Sequence, residues 1–186
     1  MKINDIEFGG NHSIKTLKET SWDSKGDAYM TDCEKRVIDF DQAKTNYCND
    51  LGKSEEYADS ADSLCFTADK NKFYLIEFKN GDFSSKDITK KAKDSAFVLS
   101  GIMKKDVNCI RNSVILVLVY NGEVRKIETR DKIAIAKANR GKGDFAVFGL
   151  EKLKGFYYDK ILVYEKEQFQ KSYIINEIVS ISWFFY

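Results

Sequence analysis

Glu77 and Lys79 stand two residues apart at the end of an otherwise apolar run, Phe73 to Gly81, FYLIEFKNG. An acid and an amine at positions i and i+2 of a strand point to the same face. Charge at the margin of a buried strand needs a partner, because desolvation without one is expensive. Asp62 lies fifteen residues upstream of Glu77, in SADSLCF. The runs Ser60 to Phe66 and Lys72 to Asn80 flank the polar link TADKN and read as a hairpin. With its turn centred on Asp69-Lys70, paired residue numbers sum to 139 and Asp62 falls opposite Glu77. A slip of one residue would turn Asp62 to the other face.

These types support one kind of chemistry well. Mg²⁺ is typically held by one or two carboxylates beside substrate phosphate, which Asp62 and Glu77 would supply. The carbonyl of Phe78, between Glu77 and Lys79, is a further oxygen donor. Lys79 could orient or deprotonate a water, or contact a phosphate. The plain alternative is that the three charges pair with one another at an exposed strand end.

Composition removes competing chemistries. The chain has one histidine, His12, which excludes histidine-rich zinc sites and disfavours a Ser-His-Asp triad. Cys33, Cys48, Cys65 and Cys109 show no CxxC or metal spacing, and reduced thiols in a cytoplasmic setting are the simplest expectation. No run of about 18 apolar residues suggests a membrane span, and MKINDIEFGG lacks the apolar core of a secretory signal. With 186 residues and 32% charged side chains, a single globular, soluble domain over 1–186 is expected. Net charge is only +1, but it is unevenly spread. Residues 1–70 carry nine Lys/Arg against fifteen Asp/Glu, and residues 71–186 carry 21 against 14. Arg125, Lys126, Arg130, Lys132, Lys137, Arg140 and Lys142 crowd one segment, which suits a polyanion partner or a solvated basic helix.

The elements that must position the three charges follow from pattern. Residues 1–30 read as extended pieces and turns. Residues 31–49 look helical, capped by Thr31 or Asp32, although VIDF within them could be a strand. After Asn80-Gly81, Ser84 and Asp87 form a capping pair for a helix from Lys86 to about Met103. Its inner stripe is Ile88, Ala92, Ser95, Leu99 and Ile102, with Lys86, Lys90 and Lys93 off it. Ser113 to Tyr120, SVILVLVY, reads as a central strand covered on both faces. Lys160 to Tyr164 is a further strand, and Glu165 to about Ile178 a helix. Phe156, Tyr157 and Tyr158, beside Lys154 and Lys160, are core packing or a base-stacking surface. The aromatic end, Trp183 to Tyr186, is expected to pack on the domain or in a homodimer or partner interface. The order gives an α/β chain with a central mixed sheet flanked by helices.

An aspartate on one strand, an apolar strand ending in Glu-x-Lys, then a helix and a buried strand, resembles the PD-(D/E)XK nuclease superfamily. The resemblance covers about Ala58 to Tyr120, with Asp62 and Glu77-Phe78-Lys79 at the motif positions. Ala61 stands where the family often has proline, and Asp59 is a rival for the aspartate. The resemblance implies a restriction-endonuclease-like core and Mg²⁺-dependent hydrolysis of nucleic acid, with Mn²⁺ as a substitute metal and DNA preferred over RNA. It implies Asp62, Glu77 and the Phe78 carbonyl as metal ligands and Lys79 as the catalytic amine. Many members add an acid from the preceding helix, for which Glu34 is the first choice and Asp39 and Asp41 the alternatives. A basic residue on the following helix often faces the site; Lys93 comes first and Lys90 second. Small members of this kind serve as toxins, defence effectors or mobile-element proteins. The rival function is a catalytically inactive member of the fold that binds nucleic acid or protein.

Overall fold

The computed structural model of the chain describes residues 14–67, 72–142 and 147–178. His12, the Asp69-Lys70 turn and the aromatic end Trp183 to Tyr186 lie outside them.

Six strands form one sheet: β1 (Ile14–Thr16), β4 (Arg36–Asp39), β5 (Ser63–Phe66), β6 (Phe73–Lys79), β7 (Val114–Tyr120) and β8 (Lys160–Glu165), in that spatial order. The first four pair antiparallel, whereas β6, β7 and β8 run parallel. A separate hairpin pairs β2 (Trp22–Asp23) with β3 (Ala28–Tyr29). The architecture is therefore the mixed sheet flanked by helices that the element order implied.

Parallel pairing dictates the connections. The crossover from β6 to β7 runs through α3 (Ser85–Met103) and α4 (Val107–Ser113), and that from β7 to β8 through α5 (Thr129–Asn139). Helices therefore cover the sheet, and β7 is buried along its whole length. Alternation sorts the side chains into two layers. Leu64, Phe66, Phe73, Leu75, Leu116 and Leu118 face α3 and α4, where Ile88, Ala92, Leu99 and Ile102 meet them. Cys65, Tyr74, Ile76, Phe78, Val117 and Val119 face the opposite layer, closed by Leu17, Met30, Phe169 and Ile174. Glu77 and Lys79 share the parity of Phe73 and Leu75, so they point towards α3.

Three stretches differ from the sequence reading. Residues 31–49 are not one helix: β4 ends at Asp39, and α2 runs Phe40–Asp50. Asp39 is the cause, because its backbone is extended and its side chain accepts from Gln42 N at 3.1 Å, capping the helix there. The C-terminal helix is likewise split into α6 (Lys166–Gln170) and α7 (Tyr173–Glu177) by the extended backbone of Ser172. The Leu17–Thr20 segment, read as extended, is a short helix, α1, closed by a Thr16–Glu19 capping box.

Candidate active site

The β5–β6 register is the one the hairpin arithmetic requires, and it ends one residue short of Asp62. Ser63 pairs with Ile76 and Leu64 with Leu75, each summing to 139. Asp62, one residue before β5, leaves the regular ladder: its N–H donates to Ile76 O at 3.0 Å, one residue off the register, while its own carbonyl accepts from Phe40 N at the start of α2. The Phe78 N–H donates to Asp62 Oδ2 at 2.6 Å. Asp62 is thus held by backbone on three sides and brought beside Glu77. The Phe78 ring packs away from the acids, edge-on to Phe169 in the other layer.

Glu77 is the most enclosed member, its side chain 5% exposed. Lys79 Nζ lies 2.8 Å from its Oε1. A second amine, Lys91 of α3, lies 2.9 Å from both Glu77 oxygens and 3.3 Å from Asp62 Oδ1. Its angle satisfies Oε1 alone, so Glu77 Oε2 is buried and accepts no hydrogen bond. The four groups form a compact set of two acids and two amines at the C-terminal end of β6.

Burial pushes the Asp62 carboxyl up to about 8, and the neighbouring charge of Glu77 adds to the effect. Burial opposes charge on Lys91, but Asp62 and Glu77 outweigh it and hold the ammonium above the ordinary lysine range. Tyr158, wholly buried beneath α3, donates to Ala92 O at 2.6 Å; burial, then Glu77, raises its phenol. Tyr158 is therefore core rather than a stacking surface, while Phe156 is exposed under the Arg111 guanidinium.

The backbone that presents these groups is pinned at two points. Ser95 of α3 is fully buried; its hydroxyl accepts from Ala61 N at 2.8 Å and donates to Lys91 O at 2.7 Å. One side chain thereby ties the residue before Asp62 to the turn carrying Lys91. At the far end, Asn121 Nδ2 donates to Asn80 Oδ1 and Asn80 Nδ2 to Asp23 Oδ2, both at 2.9 Å. These amides link the ends of β6 and β7 to the β2–β3 hairpin. A Cβ at Gly26 would come within 2.2 Å of Asn80 Nδ2, so a larger residue there would displace this amide.

The remaining predicted residues fall elsewhere. Glu34 precedes β4 instead of lying on a helix, is 66% exposed and pairs with Lys18 at 3.3 Å, so it does not join the cluster. Asp39 caps α2 and pairs with Lys15 at 2.6 Å. Asp41 bonds Ser60 Oγ, and its charge adds to the upward pull on Asp62. Asp59, the rival aspartate, is drawn off by Lys90, which also pairs with Asp94. Lys93 is exposed on the outer side of α3, and Lys91 takes the inward position assigned to it. The signal for Lys91 was present: it lies three residues after Ile88 and four before Ser95, on the buried stripe itself.

Two carboxylates side by side are the hard oxygen donors that Mg²⁺ or Mn²⁺ takes, although Glu77 Oε2, which accepts no hydrogen bond, already faces the Lys91 ammonium at 2.9 Å. Among the described residues no third His, Cys, Asp or Glu completes a metal-binding group. Comparison of the chain with protein-family models, curated proteins and solved structures gives no match.

Proposed function

We propose that this chain is a Mg²⁺-dependent nuclease that hydrolyses phosphodiester bonds, DNA in preference to RNA, with Asp62, Glu77 and Lys79 as its working residues. The observation that carries the reading is the convergence of Asp62 and Glu77 on one side of β5–β6, with Lys79 2.8 Å from Glu77. A Mg²⁺ or Mn²⁺ ion held by Asp62, Glu77 and the Phe78 carbonyl would supply an electrophile for the phosphate and an activated water.

The chain's own groups do the rest. Asp62 is kept in place by the Phe78 N–H, so the donor set is organised before substrate arrives. Lys79, 29% exposed, can reach a phosphate oxygen or align a water at the site's mouth. Arg125 and the segment leading into α5 follow β7, at the same end of the sheet, and give a polyanion a basic approach. Arg125 is steadied by Asp82 at 2.8 Å and by the rings of Phe83 and Phe148. No helix among the described residues is long and apolar enough to cross a membrane. A cytoplasmic toxin, defence or mobile-element effector is the context that fits such a domain.

The test is degradation of plasmid, single-stranded DNA and RNA with Mg²⁺ or Mn²⁺. Activity is expected, and Glu77→Ala and Lys79→Ala are expected to abolish it; activity that survives both substitutions belongs to a contaminant. One observation favours the second reading, an inactive binding module: Lys79 and Lys91 already pair with the two acids. Intact substrate throughout, with retained nucleic-acid or protein binding, would select it.

A further inference from the structure

Lys91 occupies the point at which an ion bridging the two acids would have to sit. Its Nζ lies 2.9 Å from each Glu77 oxygen and 3.3 Å from Asp62 Oδ1. Mg²⁺ needs oxygens at about 2.1 Å, so an ion shared by Asp62 and Glu77 would press against that ammonium in both space and charge. Lys79 is different: among the described residues it pairs with Glu77 Oε1 and forms no ion pair with Asp62.

We propose that Lys91 is a built-in counter-ion, holding the metal position in the metal-free protein and leaving it when a divalent cation binds. This rests on the metal-dependent reading above. The physical need is plain. Two carboxylates, one of them almost wholly enclosed, cannot stand side by side uncompensated. An ammonium on the facing helix keeps them together without metal. Ser95 anchors the Lys91 carbonyl, which fixes the root of the side chain, while four methylenes leave its tip able to swing. The side chain is 21% exposed, so its exit lies towards solvent, where a substrate phosphate would arrive. Lys91 therefore sets how tightly the site takes metal, because its single positive charge must leave before the ion's two can enter.

The test is calorimetric titration of Mn²⁺ into the wild type, Lys91→Met, Lys79→Met and Asp62→Asn, without substrate. Methionine keeps the length of the stem and removes the charge. Lys91→Met is expected to bind Mn²⁺ about tenfold tighter or more, since each tenfold corresponds to about 1.4 kcal/mol of competition removed. Lys79→Met is expected to change affinity less, and Asp62→Asn to abolish binding. Wild-type binding that depends on Asp62 but is unchanged or weakened in Lys91→Met would overturn the counter-ion role and leave the nuclease reading standing. Absence of binding in every folded variant would overturn both.

Lys91→Met can fail to fold, so a second measurement uses the wild type. Reductive methylation read by peptide mass spectrometry should label Lys91 several-fold faster with Mn²⁺ than without, normalised to exposed Lys93. Saturating Mn²⁺ that leaves Lys91 equally protected would refute the exchange.

Discussion

Ser95→Ala is a small substitution with a large expected consequence. The hydroxyl is fully buried and joins two elements, accepting from Ala61 N at 2.8 Å and donating to Lys91 O at 2.7 Å. Deleting it affects the two partners unequally. The Lys91 carbonyl keeps its ordinary helical bond, so that loss is slight. The Ala61 N–H sits at a residue 2% exposed and is left without an acceptor. An orphaned buried donor costs about 1–3 kcal/mol, and no cavity term of consequence is added because only one oxygen is removed. A loss of about 2 kcal/mol corresponds to a Tm lowered by roughly 4–8 °C in a chain of this size. Urea unfolding followed by circular dichroism measures it, with an unchanged m-value expected because the exposed surface is the same. Ser100→Ala is the control: that hydroxyl donates to Lys105 O at the exposed end of the same helix, and its loss should fall within about 0.5 kcal/mol. Ala61 also leads directly into Asp62, so Ser95→Ala should weaken Mn²⁺ binding as well. A variant as stable as Ser100→Ala would refute the claim that this one hydroxyl carries the junction between α3 and β5.

Asn139 closes the open edge of the sheet. Its Nδ2 donates to Val163 O at 2.7 Å and its Oδ1 accepts from Val163 N at 3.3 Å, so one side-chain amide pairs with β8 as a further strand would. Asn139→Ala should cost about 2 kcal/mol, and hydrogen exchange at the Val163 amide should accelerate; an unchanged rate there would show that the edge is protected by something else. Stability should also depend on pH through Asp62. Its carboxyl is raised from 3.8 to about 8, by burial first and Glu77 second. Between those values the folded chain holds a proton that the unfolded chain has released, so this group's contribution is complete below about pH 4 and is lost as pH rises through about 8. Asp62→Asn should flatten that slope in denaturant titrations, and a wild-type slope identical to the variant's would contradict it. Finally, Lys93→Ala should leave both stability, within about 0.5 kcal/mol, and nucleic-acid cleavage unchanged, since the side chain is exposed on the outer side of α3. Lost cleavage would restore Lys93 to the site.

Much of this arrangement could be read from local rules because local rules overdetermined it. The β5–β6 register followed from a short polar link between two apolar runs, each buried on both faces, where a slip would have turned the aspartate away from Glu77. The stripe of α3 and the Ser84–Asp87 cap were equally legible, as the bonds between them show. The 31–49 segment was not, because its apolar residues satisfy helical and strand spacing alike. Only pairing of Ile38 with Ile14 and Leu64 decides that β4 exists, and those partners lie 24 and 26 residues away. Glu34 was lost with that boundary: on a strand's approach instead of a helix, it no longer points where a helix would have carried it.

That the sequence reading prefers Lys93 and Lys90 and passes over Lys91 has a different cause. A charged residue off the apolar stripe faces the site only if the site lies outside the core. Yet the acids sit on a strand face that α3 itself covers, so a helical residue can meet them only from the buried stripe. The two positions flanking Lys91, Ile88 and Ser95, are both buried, which leaves its long stem in the core layer and its ammonium among the acids. A lysine on a stripe that should be apolar has to be matched by buried negative charge, and a Glu-x-Lys strand immediately upstream is where such charge is found. The mismatch between pattern and residue was the strongest pointer to the cluster in the whole helix. Reversing either acid should therefore be felt first at Lys91: Glu77→Lys would set a third amine against it in an enclosed space, and the helix would be expected to detach from that end of the sheet before any other part of the fold gave way.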